Sequence, residues 1–98
     1  MPMYITLINW TDQGVKAVKD SPGRSAAFKQ LAREMGCTVH GVFFTMGRYD
    51  IIARVEAPDD ATMSALLLKV GQLGNVRSET LRAFTEAEFA AVVQKIAG

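Results

Sequence analysis

Residues 38–57 read TVHGVFFTMGRYDIIARVEA, two strand-forming runs around a central glycine. β-Branched and aromatic residues flank Gly47-Arg48, which predicts two strands, Thr38–Met46 and Tyr49–Ala57, joined as a hairpin. Val42, Phe43, Phe44, Ile51 and Ile52 put large apolar groups on both parities. Because successive strand residues point to opposite faces, both faces of the resulting sheet are apolar.

Upstream, Met3–Ile8 is a short strand rich in Tyr, Ile, Thr and Leu. It runs into a helix start at Thr11-Asp12. Gly14 and Ser21-Pro22-Gly23 divide the next segment into a short turn, about Asp12–Lys19, and a second helix from Pro22. Phe28/Leu31/Ala32/Met35, Met63/Leu66/Leu67/Val70 and Phe89/Val92/Val93/Ile96 match one amphipathic helical template, so each helix has one face to bury. Gly36 and Gly74 come just past the first two, where a left-handed backbone favours glycine. Thr85 and Glu88 form a capping box for the third. Val76–Phe84 carries polar residues on both parities, which suits an edge strand.

The order β-α-β-β-α-β-α predicts an α+β, ferredoxin-like domain: a four-stranded antiparallel sheet with helices on one face and an extra C-terminal helix. The second apolar face of the sheet then predicts a homodimer, with room for higher assembly.

The whole chain, 98 residues, is the length of one domain, residues 1–98. Eleven basic and ten acidic residues leave a net charge of +1 without like-charge runs. That balance argues against a nucleic-acid partner. No apolar run approaches the ~20 residues that cross a bilayer, and the first ten residues lack the marks of a signal peptide, so no membrane association is expected. One cysteine permits no internal disulfide and fits a reducing, cytoplasmic setting.

Several stretches resemble the GYD-domain family: Thr11-Asp12-Gln13-Gly14, Lys19 through Arg24, Thr45 through Asp50, Glu56 through Asp60, and Gly74 through Thr85. Gly47, Tyr49 and Asp50 supply the residues of the name, although Arg48 interrupts the tripeptide. The resemblance spans nearly the whole chain. It implies a ferredoxin-like domain of the dimeric α+β barrel group, whose members include cofactor-poor monooxygenases, isomerases, haem-handling proteins and ligand sensors. Fold does not choose among these.

Among residues with chemistry to offer, Asp12, Asp20, Asp59, Asp60, Glu86 and Glu88 fall at helix starts and read as caps. Asp50 opens a strand and reads first as an acceptor of backbone hydrogen bonds in the Gly47 turn. Tyr49, Asp50 and His40, the single histidine, are the candidate proton handlers. Cys37 and His40 lie on opposite strand faces, which opposes a nucleophile–base dyad, and no metal-ligand spacing or cofactor motif occurs. Ser21 and Arg24 at a helix start are a candidate anion site. Asn9, Trp10, Tyr4, Phe44, Arg54, Arg77 and Thr80 have the composition of an aromatic small-molecule cavity with a few polar groups.

The leading functional expectation is a homo-oligomeric domain binding a small aromatic or anionic molecule in or beside the sheet. A cofactor-independent oxygenase or isomerase and a pure assembly domain are the alternatives. Their discriminator is whether Tyr49, His40 and Arg54 converge on one enclosed cavity.

Overall fold

The β-branched and aromatic stretches form four strands and the amphipathic stretches three of four helices; the computed structural model describes residues 1–97. The strands are β1, Met3–Trp10; β2, Thr38–Phe44; β3, Ile51–Glu56; and β4, Val76–Ala83. The helices are α1, Asp12–Lys16; α2, Ser21–Glu34; α3, Asp60–Gly71; and α4, Glu86–Gln94. A 3-10 turn at Val18–Asp20 links α1 to α2. All strand pairs are antiparallel, in the order β2-β3-β1-β4, so β4 is an edge strand and the ferredoxin-like topology holds.

Caps set the helix starts. The Thr11 hydroxyl accepts from the Gly14 amide at 3.1 Å, and the Asp59 carboxylate accepts from the Thr62 amide at 2.7 Å. Helix α2 starts at Ser21, one residue earlier than Pro22; Asp20 precedes it without a capping side-chain bond. Gly36 and Gly74 adopt φ of 79° and 81°, conformations that a side chain disfavours.

Tyr4, Ala32, Cys37, Ala53, Val55, Ala57, Met63 and Leu66 make the core between the sheet and helices α2 and α3. Tyr4, Thr6, Ile8 and Trp10 share the helix-covered face with Ile51, Ala53 and Val55, in step with the pairing register. The opposite face of the sheet carries no helix among the described residues.

Two expectations change. The hairpin strands end at Phe44 and resume at Ile51, leaving a loop, Thr45–Asp50, in place of a tight Gly47-Arg48 turn. The cause is Asp50, whose amide donates to the Ile8 carbonyl at 2.9 Å, drawing the chain toward β1 before pairing with β2 begins. The loop closes on itself through the Thr45 amide to the Asp50 carbonyl, 2.8 Å, and the Thr45 hydroxyl to the Tyr49 carbonyl, 2.6 Å. The second change is α4. Its capping box forms as expected, yet Phe89, Val92, Val93 and Ile96 are all exposed. Among the described residues, no strand or helix covers the stripe. The molecule is correspondingly long, 53 × 31 × 18 Å.

Candidate functional site

The candidate residues divide between the two faces of the sheet. On the covered face, α2 and α3 stand apart over the strands and leave a cleft of about 1100 Å³. Its walls are the inward stripes of the two helices, Phe28 and Leu31 on one side and Leu67 and Val70 on the other. Trp10 and Phe44 lie at its floor, stacked with ring centroids 6.4 Å apart and planes 17° apart. Two arginines, Arg24 and Arg77, are the only charged residues among the described residues that border it. Clefts of this kind, apolar with few polar groups, are typical of ligand sites.

Arg24 is already engaged. Its guanidinium donates to the Ala17 carbonyl at 3.1 Å, the Gly14 carbonyl at 3.3 Å and the Ser21 hydroxyl at 3.2 Å. These bonds tie α1 to the start of α2, so its charge stands at the cleft wall while its donors hold the chain. The rim nearest Trp10 is stitched as well. The Thr11 hydroxyl donates to the Gly74 carbonyl at 2.6 Å, and the Thr11 amide to the Asn75 carbonyl at 3.1 Å.

Tyr4 and Thr80 share this face but sit in the packed part of it. The buried Tyr4 hydroxyl donates to the Asp60 carboxylate and pins β1 to the start of α3. That hydrogen bond, reinforced by burial, pushes the phenol up to about 12. Thr80 exchanges a hydrogen bond with Thr6 at 3.0 Å.

On the open face, Asn9, Arg77 and Tyr49 meet in a shallow depression of about 300 Å³ that also includes Arg48 and Glu79. The Tyr49 hydroxyl donates to Glu79 across β1 at 3.1 Å, and the Arg48 guanidinium carbon lies 5.8 Å from the Tyr49 ring. His40 stands at the other end of the sheet. A bulge between Val39 and Gly41 leaves it outside the pairing register, and its Nε2 pairs with the Glu56 carboxylate. Arg54 is exposed on β3, beside Ile5 and Gly41. From Glu56 to Ile51 the strand runs about 16 Å, so His40 and Tyr49 do not meet in one chain.

Asp50 serves the backbone. Its carboxylate accepts from the Trp10 amide at 3.0 Å, which is a strand-end role on β1 and not within its own turn. Cys37 is buried, and burial raises its thiol above the ordinary range. No group of three or more His, Cys, Asp or Glu side chains that could hold a metal ion occurs among the described residues. Nor is any described helix long and apolar enough to cross a membrane.

The cleft walls Phe28, Leu31, Leu67 and Val70 did not register in the sequence as site residues. Their helical spacing is the ordinary signal of a core face, and only the separation of α2 from α3 converts part of that face into a wall.

The fold is shared with a solved protein. The crystal structure of TTHA0845 from Thermus thermophilus superposes with a TM-score of 0.57 at 25% identity, covering 87% of this chain and 95% of that one. A Thermus thermophilus protein described as a glutamine synthetase and cystathionine beta-lyase binding protein is 34% identical over 92 residues. That alignment covers 93% of this chain and 97% of the relative. The GYD domain model matches residues 4–93, and the chain belongs to the GYD domain family.

Proposed function

We propose that this chain is a self-associating protein-binding module of the cytoplasm, whose uncovered sheet face pairs with a second copy and whose dimer docks other proteins. The observation that carries the reading is that face. It presents Ile5, Leu7, Ile52, Phe43 and Leu81 with no helix over them, and Phe43 and Leu81 are 64% and 47% exposed. An apolar surface of that kind marks an association site. The likeness to a relative described as binding two enzymes supports a partner that is itself a protein.

Sedimentation equilibrium tests the self-association. The native chain sediments as a dimer, and Phe43→Glu, which places a charge on the open face along its β2 edge without touching the core, dissociates it. A native chain that stays monomeric at all concentrations refutes the reading. Docking is tested by biolayer interferometry against purified glutamine synthetase and cystathionine β-lyase of the source organism, with Phe43→Glu as comparison.

A second reading is favoured by the Trp10–Phe44 stack and the purely basic border of the cleft: a small aromatic or anionic molecule held between α2 and α3. Native mass spectrometry of gently purified protein decides it. A discrete extra mass that is lost in Phe28→Glu supports a cleft ligand, and a bare chain mass counts against one.

A further inference from the structure

We infer that α4 is an exchanged arm, whose apolar stripe covers Phe43 and Met46 at the hairpin corner of a second copy of this chain. The inference rests on the sheet-face dimer proposed above.

Among the described residues, both the α4 stripe and the Phe43 and Met46 side chains stand exposed. Phe89 and Ile96 of the α4 stripe are 55% and 83% exposed, and Met46 at the hairpin corner is 99% exposed. They sit at diagonally opposite corners of the sheet. Strand β4 ends at Ala83 beside Met3, whereas Phe44 pairs with Ile51, which pairs with Ile8 at the far end of β1. Five residues along the strands and three strand spacings across them separate those corners by about 22 Å. Helix α4 is nine residues, about 13 Å long, and so cannot fold back over its own hairpin corner.

A second copy removes the obstacle. When two such sheets pack face to face about a twofold axis along the other diagonal, their strands cross at about 90°, a preferred packing angle. The α4 base of each copy then lies over the hairpin corner of its partner. The two contacts are equivalent, as a closed dimer requires.

Area and charge favour the same occupant. Four strands at about 4.8 Å and eight residues at about 3.3 Å give a flat footprint of about 500 Å² per copy. Two such faces total about 1,000 Å², short of the ~1,200–2,000 Å² that stable interfaces bury, and the two arms make up the difference. The first turn of α4 carries Glu86 and Glu88, while the hairpin tip carries Arg48 and its one acid, Asp50, is engaged by the Trp10 amide. The arm is also preformed. The Thr85 capping box fixes its start, and Arg82 over the Phe84 ring, 4.5 Å from its centroid, holds the connection. Preorganisation lowers the entropy lost on docking.

The test introduces a photoreactive benzophenone side chain at Val92 of the full chain and mixes ¹⁴N and ¹⁵N protein before irradiation. Mixed-isotope cross-links from position 92 to residues 43–46 support the arm. Cross-links within one chain, to the α2–α3 cleft, or to nothing while sedimentation still reports a dimer, overturn the arm alone and leave the sheet-face dimer standing. A native chain that is monomeric overturns both. Independently, Phe89→Glu raises the dimer dissociation constant at least tenfold with an unchanged circular dichroism spectrum; an unchanged constant refutes the arm.

Discussion

Replacing Asp50 by alanine separates a structural role from a chemical one. In the folded chain one carboxylate oxygen of Asp50 accepts the Trp10 amide at 3.0 Å, in a partly buried setting. The Asp50 amide meanwhile continues the β1–β3 pairing through the Ile8 carbonyl at 2.9 Å. Truncation deletes the first bond and keeps the second. A hydrogen bond to a charged group contributes about 1.5–3 kcal/mol, and water reaching a half-buried strand end recovers part of it. The expected loss is therefore about 1–2.5 kcal/mol. For a domain of this length, that lowers the melting temperature by about 4–20 °C. Asp50→Asn keeps a carbonyl acceptor at the same place and is expected to lose less than half as much. Urea unfolding followed by circular dichroism gives the free energies, and hydrogen exchange at the Trp10 amide reports the local bond. A loss under about 0.5 kcal/mol in Asp50→Ala, or an Asn variant as damaged as the Ala variant, refutes the strand-end assignment. Unchanged stability with lost partner or ligand binding would move Asp50 into the functional site.

Contacts elsewhere set further outcomes. A Cβ on Gly14 meets the Asn75 carbonyl oxygen at 1.9 Å, so Gly14→Ala costs about 1–3 kcal/mol or more by denaturant unfolding, and a neutral result refutes the close approach of α1 to the α3–β4 turn. Tyr4 holds its proton more tightly when folded, so its contribution is complete below about pH 10 and declines as pH rises toward about 12. Melting curves across that window fall more steeply in the native chain than in Tyr4→Phe; parallel curves refute the coupling. Thr85→Ala removes the side-chain acceptor of the Glu88 amide and weakens α4 by about 0.5–2 kcal/mol. Because α4 stands off its own core, helical signal falls while the core transition of a dilute, dissociated sample stays in place; a matching shift in both places α4 against the core instead.

Particular elements explain how much of the fold is legible in the sequence. Phe28/Leu31/Ala32/Met35 and Met63/Leu66/Leu67/Val70 are local patterns, and both helices do pack on the sheet, with Ala32, Met63 and Leu66 almost wholly buried. The sheet topology is legible because four short strands and two crossover helices admit few right-handed arrangements. The hairpin boundaries differ by two residues on each strand, since the bond that displaces them runs from Asp50 to Ile8, distant in sequence. Of the twelve candidate site residues, Trp10, Phe44, Ser21, Arg24 and Arg77 border the cleft. Asn9, Tyr49 and Arg77 gather on the opposite face. Tyr4 and Thr80 stand in hydrogen bonds that hold the sheet and core together.

Periodicity, caps and turn residues depend on neighbours a few positions away, so the chain's amino-acid order alone specified its strands, its helices and their connection into one sheet. It specified equally that α4 has an apolar stripe. Whether that stripe would be buried depended on the direction in which β4 delivers it, past the Met3 edge and away from the body. The separation of α2 from α3, the distribution of candidate residues over two faces, and the pairing of His40 with Glu56 and Tyr49 with Glu79 depend on three-dimensional placement. These features arise from contacts between residues far apart along the chain, and no local pattern carries them.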